Sequence, residues 1–159
     1  MNLFKKKEIK IVAPITGKCI PIEEVDDPVF SANLMGEGVA IKPSTDKVVS
    51  PCQSQITVVS ETGHAFGLRT SNGLEIMIHI GLDTVNRKGK GFHVLVEQGK
   101  EVRAGETLVQ FDREDMEEEG IDTSVMIVFL NGNKFLMKDL KKNGGVREGK
   151  DRIALLSKK

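Results

Sequence analysis

An alternating apolar pattern between Leu74 and Ile80 gives the clearest strand signal in the chain. Every second position of this run is leucine or isoleucine, and the positions between them carry Glu75, Met77 and His79. Side chains of a strand alternate between two faces, so one face of this strand is predicted to be buried. The other face presents His79, a nucleophilic side chain in an otherwise apolar run.

The rest of the chain alternates short runs rich in valine and isoleucine with glycine and proline turn signals. It contains sixteen glycines and five prolines but no tryptophan or tyrosine. This pattern predicts an all-β protein, an antiparallel β-sandwich or barrel with very little helix. One short surface helix is predicted in the acidic segment between Asp112 and Gly120, where the glycine suits a helix end.

Two segments resemble each other. Residues 11–22 and 48–59 align without gaps at an offset of 37 positions, and both have valine, a small residue and proline at their second to fourth positions. Two copies are too few for a solenoid. They predict instead a sandwich that is built from a duplicated half.

The dipeptide Asn72-Gly73 lies between two strand-like runs and predicts a hairpin with a two-residue type I′ turn. In that register Ser71 faces Leu74, and His79 lies opposite Phe66. Met77 then lies opposite Leu68, so Phe66, Leu68 and Met77 would form an apolar collar around His79.

The same register brings a second histidine to the site. His64 lies two positions beyond Phe66 and therefore on the same face as His79, within reach of its side chain. A three-residue loop, Ser71 to Gly73, would shift the pairing by one position and send the two histidines to opposite faces. The shared site therefore depends on this register.

Size and charge narrow the function. The chain has 159 residues, with 23 basic and 23 acidic side chains, so no overall cationic field is available to hold a nucleic acid. Residues 1–8 are interpreted as a short basic tail and residues 9–159 as a single domain. Cys19 and Cys52, without a secretory leader or a membrane span, predict reduced thiols and a cytoplasmic protein.

The histidine pair could bind a metal, exchange protons, or carry a group covalently. A zinc site usually needs three or four ligands, and only Asp83 lies nearby in the sequence. No G-x-S-x-G string or P-loop is present. Covalent carriage of a phosphoryl group on an imidazole is favoured, because an apolar collar would exclude the water that hydrolyses a phosphoramidate. His93, alone on its strand, is interpreted as structural.

Residues 73–85, with an apolar triplet before His79 and then Ile-Gly-Leu-Asp-Thr-Val, resemble the active-site signature of a known family. It is the glucose-type enzyme IIA family of the bacterial phosphoenolpyruvate:sugar phosphotransferase system. Further similar motifs follow the family order, and the resemblance covers about residues 9–156. These motifs are residues 12–14, 36–43, 62–66, 91–92 and 105–108.

The resemblance implies a β-sandwich of the duplicated hybrid motif type and assigns roles to four residues. His79 would accept the phosphoryl group on Nε2, while the Gly81 carbonyl would hold its Nδ1–H. His64 would donate a hydrogen bond to the phosphoryl group and assist its onward transfer, and Thr62 would orient His64. No cofactor and no metal are expected.

The resemblance also implies the partners, which are the phosphocarrier HPr and the IIB domain of a sugar permease. Asp27 and Asp83 match acidic positions at the rim of the docking face, where they would meet arginines of HPr. The acidic stretch 22–27 is otherwise open to interpretation as a solvated loop. The residues expected on or near the docking face are Val29, Phe30, Met35, Phe66, Leu68 and Met77.

Membrane contact is expected only through the permease, and no contact with nucleic acid is expected. Two alternatives remain open at this point. One is a zinc-dependent hydrolase on a related β-fold. The other is a regulatory protein that binds permeases or further proteins according to the phosphorylation of His79.

Overall fold

A computed structural model describes residues 7–159, so most of the predicted tail at residues 1–8 lies outside the described residues. Within that range the chain forms strands joined by short turns, with two short α-helices and three 3-10 turns. The strands are β1 Glu8–Val12, β2 Gly17–Pro21, β3 Glu37–Pro43, β4 Lys47–Val49, β5 Ser54–Val59, β6 Ala65–Arg69, β7 Glu75–Ile80, β8 Phe92–Val94, β9 Glu101–Val102, β10 Thr107–Phe111, β11 Val125–Phe129, β12 Phe135–Lys138, β13 Gly144–Val146 and β14 Arg152–Lys158. The helices are α1 Pro28–Ser31 and α2 Arg113–Glu118, and the 3-10 turns are Ile22–Glu24, Thr84–Arg87 and Gly132–Lys134.

The strands pair in three sheets, and the pairing is antiparallel throughout these sheets. The largest has eight strands in the order β13-β2-β3-β11-β7-β6-β5-β9, and the smaller two have the orders β1-β14-β12 and β4-β10-β8. Side chains from all three sheets meet in one buried cluster, which includes Ile11, Ile78, Leu108, Ile127 and Leu156. The predicted all-β sandwich is therefore confirmed.

The acidic segment forms the predicted short helix, α2. Met116 is its buried side chain, and Gly120 follows the helix with a positive φ of 81°. Glycine tolerates that conformation without steric cost, which explains why the helix ends there. No helix within residues 7–159 has the length and apolar character needed to cross a membrane.

The duplication predicted from the sequence is visible in the backbone hydrogen bonds. Val12 donates its N–H to the Pro51 carbonyl at 2.9 Å, and Val49, 37 positions after Val12, donates to the Pro14 carbonyl at 2.8 Å. The eight-stranded sheet repeats the same relation, because β13-β2-β3-β11 and β9-β5-β6-β7 follow equivalent orders. The halves meet where Ile127 of β11 faces Ile78 of β7.

The predicted hairpin register is wrong by one residue. His79 pairs with Ala65 instead of Phe66, and Met77 pairs with Gly67 instead of Leu68. The loop contains three residues, Ser71 to Gly73, because the backbone N–H of Thr70 already bonds to the Leu74 carbonyl at 3.0 Å.

Local and distant contacts both support the longer loop. The Thr70 hydroxyl donates to Asn72 Oδ1 and accepts the N–H of Leu74, and Gly73 takes a positive φ of 92°. From the end of β11, Asn131 donates to the Gly73 carbonyl and accepts the N–H of Glu75, each at 2.8 Å. These two bonds come from a residue that is distant in the sequence, so the residues of the turn alone could not predict them.

Candidate functional site

His79 lies on the outer face of the eight-stranded sheet, in the middle of three adjacent strands. Its neighbours across the pairs are Ala65 on β6 and Met126 on β11. Alternation along β7 buries Ile76, Ile78 and Ile80 in the core and leaves the positions between them partly accessible. The strand therefore presents His79 as the sequence predicted.

His64 meets His79 in spite of the shifted register. The two ring centroids are 5.0 Å apart, and the ring planes are nearly perpendicular at 81°. His64 stands just before β6, where strict alternation no longer applies, and its carbonyl accepts the N–H of Ile80 at 2.8 Å. The shared site is thus present. It forms because His64 lies just outside the strand, and not because of the predicted register.

The turn before β6 orients the His64 ring. The Thr62 hydroxyl forms a short hydrogen bond with His64 Nδ1, and the Ser60 hydroxyl lies 3.4 Å from the same atom. These contacts occupy Nδ1 and leave Nε2 as the nitrogen that faces the site. Burial lowers the pKa of His64 below its ordinary value, so the ring is neutral at physiological pH.

His79 is also neutral. Burial, and next the nearby His64, lower the pKa of His79 to about 4, although the Gly81 backbone, Asp27 and Asp83 act in the opposite direction. Within residues 7–159, the His79 Nδ1 atom is the one buried side-chain nitrogen or oxygen without a partner in hydrogen-bonding geometry. Proximity to Gly81 is enough to affect the pKa, but the bond to its carbonyl that the family resemblance implies is not formed in this geometry.

Aromatic rings flank the histidine pair on two sides. The Phe30 centroid lies 5.2 Å from that of His79, and the Phe92 centroid lies 6.5 Å from that of His64. Phe30 belongs to α1, and it packs with Ile22 and Val25 over the outer face of the sheet. The pair therefore lies in an apolar surround.

Gly63 permits the close approach of β8 to the site. Its φ is +76°, and a Cβ atom there would lie 2.8 Å from Val94 Cγ2 and 3.2 Å from Phe92 Cβ. Among the site neighbours, the sequence interpretation did not single out Ser60 and Val94, and it included Ala65 only within a family motif. Phe92 was noted only within a family motif. In the sequence Phe92 is recognisable only as an apolar residue of a strand, and this does not distinguish it from a core residue.

Two of the residues predicted for the docking face belong to the core. Phe66 and Leu68 are each 1% exposed and join the main buried cluster, because the one-residue shift turns them to the inner face of the sheet. They cannot form the collar of His79 or contact a partner protein. The apolar surround comes instead from Phe30, Phe92 and the half-buried Met77.

The remaining predicted docking residues lie near His79 on the outer surface. Val29 is 43% exposed, and Met35 and Met77 are half-buried at the edge of the Phe30 cluster. Asp27 begins α1 and accepts the N–H of Val29 at 2.9 Å, while Asp83 is exposed in the turn after β7. Phe30 itself is only 6% exposed, so it acts mainly as a cover for His79.

The described residues contain no group of three or more histidine, cysteine or carboxylate side chains arranged to hold a metal ion. The zinc-dependent alternative therefore gains no support from the geometry. What the arrangement offers is a pair of neutral imidazoles, each with Nδ1 turned inward or occupied. Fold and site together define a small β-sandwich protein suited to carrying a group on histidine.

Comparison with known proteins identifies the family. Residues 9–135 match the family described as "phosphoenolpyruvate-dependent sugar phosphotransferase system, EIIA 1", and the chain belongs to this family. It is 47% identical over 135 residues to the "PTS system glucose-specific EIIA component" of Oceanobacillus iheyensis, with 82% of each chain covered. The chain is therefore a phosphocarrier of the sugar phosphotransferase system, and neither alternative function receives support.

Two further relatives extend this finding. The solved structure of "glucose permease IIA from Mycoplasma capricolum" is 36% identical, with a TM-score of 0.87 over 98% of this chain and 99% of that one. The chain is also 41% identical over 127 residues to the "PTS system glucose-specific EIIBCA component" of Corynebacterium glutamicum. That match covers 80% of this chain but 19% of the relative, which is a much longer protein.

Proposed function

We propose that the chain carries its phosphoryl group on His79 Nε2, taking it from phospho-HPr and passing it to the cysteine of a sugar-permease IIB domain. The observation that carries this proposal is the pair of perpendicular imidazoles at 5.0 Å, both of which are neutral. Since Nδ1 of His79 is buried, Nε2 is the nitrogen that a partner can reach.

The transfer itself requires an imidazole lone pair. Nε2 of the neutral ring attacks phosphorus, an N–P bond forms, and the bond between phosphorus and the donor atom of HPr breaks in line with it. The lowered pKa of His79 keeps that lone pair free of a proton at neutral pH. The surrounding Phe30 and Phe92 limit access of water to the phosphohistidine, which slows its hydrolysis.

His64 is proposed to stabilise the phosphoryl group. If Thr62 donates its hydroxyl proton to His64 Nδ1, the ring carries its own proton on Nε2 and can donate it to a phosphoryl oxygen. Thr62 then acts by selecting this tautomer. The same hydrogen bond also assists onward transfer to IIB, because it stabilises negative charge on the phosphoryl oxygens while the N–P bond breaks.

The docking face is proposed to centre on His79 and to consist of Val29, Met35 and Met77, with Asp27 and Asp83 at its rim. Both carboxylates act on His79 electrostatically, which supports a role for them in guiding a basic partner toward it. The longer Corynebacterium glutamicum relative is named an EIIBCA component, and this name supports a IIB domain as the second partner. We further propose that residues 9–159 form one EIIA domain that works in the cytoplasm.

The direct test is phosphorylation with radiolabelled phosphoenolpyruvate, enzyme I and HPr. Wild type should take up about one label per chain, His79→Ala none, and His93→Ala the same as wild type. His93 is a suitable control because it is an exposed histidine that bonds to Asp112 away from the pair. Labelling of His79→Ala at the wild-type level would refute the proposal.

A second variant tests the division of labour within the pair. His64→Gln keeps a hydrogen-bond donor beside His79, so it should still accept the phosphoryl group. It should discharge that group to IIB much more slowly, by about 100-fold, since one transition-state hydrogen bond of this kind contributes on that order. Quenched-flow measurement of both half-reactions separates the two effects.

A further inference from the structure

Thr84 is a buried polar side chain that the proposed transfer does not use directly. It is 1% exposed, and its hydroxyl forms a short hydrogen bond to the carbonyl of Ile80, the residue that follows His79. Its methyl group fills the space beside Gly81, where a Cβ atom would approach Thr84 Cγ2 to 2.4 Å. Both ends of the side chain therefore contact the turn that leaves β7.

The same turn is anchored by the segment just before β11. The N–H of Gly81 donates to the Ser124 carbonyl at 2.8 Å, and the N–H of Leu82 donates to the Asp122 carbonyl at 2.9 Å. Asp122 in turn accepts the N–H and the hydroxyl of Ser124 on one carboxylate oxygen, at 2.9 and 2.6 Å. The peptide between Ile80 and Gly81 is thus held at its carbonyl by Thr84 and at its N–H by Ser124.

This clamp determines where the Gly81 carbonyl points. In a trans peptide the carbonyl and the N–H point in opposite directions, so the bond from Leu82 N–H to Asp122 turns the Gly81 carbonyl away from Asp122. No donor among residues 7–159 occupies that carbonyl. The buried Nδ1 of His79 is likewise without a partner, although the Gly81 backbone is close enough to affect this ring.

We propose that Thr84 is a positioning residue that, with Asp122 and Ser124, holds the Gly81 carbonyl ready for His79 Nδ1–H and so reserves Nε2 as the nucleophile. This inference rests on the proposed role of His79. A small movement of the ring closes the bond, and the clamp keeps the acceptor in place while it does so. Thr84 also links the two histidines, because the Ile80 residue that it holds donates its N–H to the His64 carbonyl.

The test compares Thr84→Val with Thr84→Ser. Valine keeps the shape but lacks the hydroxyl, whereas serine keeps the hydroxyl. Thr84→Val should slow phosphorylation by HPr about tenfold or more, as misplacement of a reacting group does. It should also increase the fraction of the Nε2–H tautomer of His79, as reported by its imidazole ¹⁵N shifts. Thr84→Ser should stay within about twofold of wild type in both measurements.

Two controls protect the interpretation. Thr70→Val removes another buried hydroxyl, at the far end of the β6–β7 hairpin, so it should leave the His79 tautomer and the rate unchanged. If Thr84→Val fails to fold, Asp122→Ala loosens the same clamp from an exposed position and should shift the tautomer in the same direction. A wild-type tautomer and rate in Thr84→Val, or in Asp122→Ala when that variant replaces it, would overturn the proposal.

The nuclear magnetic resonance measurement does not require phosphorylation. If His79→Ala were labelled normally, the proposed function would fail, and the His79 tautomer in Thr84→Val would still decide whether the clamp positions the ring. If His79→Ala loses the label but Thr84→Val behaves as wild type, only the positioning role fails.

Discussion

Phe30 covers His79, with 5.2 Å between the ring centroids and 58° between the ring planes. The contact joins a helix of four residues to the middle of the large sheet. Since burial is the main cause of the lowered pKa of His79, the cover and the chemistry of the imidazole are linked.

Removing this cover should expose the imidazole. We expect Phe30→Ala to raise the pKa of His79 toward its ordinary value of 6.5 and to shorten the lifetime of its phosphorylated form. The variant should also lose about 3 kcal/mol of unfolding free energy, as is usual for a buried phenylalanine. Titration of the imidazole resonances and decay of the label measure the two effects. Phe30→Leu, which keeps an apolar cover, should lie close to wild type, and equal effects of both variants would contradict this explanation.

Acidification should destabilise the fold between about pH 6.5 and pH 4. The pKa of His79 is lowered from 6.5 to about 4 in the folded protein, so within this window the unfolded chain binds a proton that the folded chain does not. The unfolding free energy therefore falls as pH falls, by about 3 kcal/mol at pH 4, since one pKa unit corresponds to about 1.4 kcal/mol. Above pH 6.5 the effect of this group is constant.

Other groups titrate in the same range, so the measurement needs a matched variant. Urea unfolding of wild type and His79→Gln at pH 7.0, 5.5 and 4.5 isolates the contribution of His79. The difference between the two proteins should change with pH in the stated direction. A difference that is independent of pH would show that His79 does not titrate as expected.

Gly63 should tolerate no side chain. An added methyl group would meet Val94 and Phe92 and would also strain a residue with φ of +76°. We expect Gly63→Ala to destabilise the protein and to displace His64, with slower discharge of the label. Gly105→Ala is the control, because φ is +89° there but nothing lies within 4 Å of the added carbon. Its cost should be the backbone strain alone, about 1–2 kcal/mol, with normal transfer.

Asp27 should affect transfer through its charge and the fold through its hydrogen bonds. Asp27→Asn keeps an acceptor for the N–H of Val29, so α1 should remain stable, while Asp27→Ala should cost about 1 kcal/mol. Both variants should slow transfer from HPr at low salt, and the difference from wild type should shrink at high salt. Glu101→Gln, an exposed carboxylate on the edge strand β9, is the control. A uniform effect at all salt concentrations would contradict steering by this charge.

Local sequence patterns determine the strands and the repeat, whereas contacts between residues far apart in the sequence determine the hairpin register. Alternation between Leu74 and Ile80 was sufficient to predict a strand with His79 on its accessible face, because periodicity depends only on neighbouring residues. The 37-residue repeat was likewise sufficient to predict the duplicated architecture. Both predictions rest on properties of the strand itself or on similarity between segments.

The hairpin register was not accessible in this way. Asn72-Gly73 is compatible with loops of two or three residues, and Asn131, far along the chain, supports the longer one. The error moved Phe66 and Leu68 from the core to the predicted docking face. His64 still reached His79 because it lies just outside the paired strand, where the turn from Ser60 to His64 sets the direction of its ring.

Two reciprocal hydrogen bonds affect how the protein unfolds. They join Val12 to Pro51 and Val49 to Pro14. Each copy of the repeat donates a backbone hydrogen bond to the proline turn of the other copy. Neither half can therefore open while the other stays intact. We therefore expect one cooperative unfolding transition, without a half-folded intermediate. Strand β7, which carries His79, pairs directly with the equivalent strand β11 of the other half. The half that carries His79 should therefore be no easier to unfold locally than the core of the whole protein.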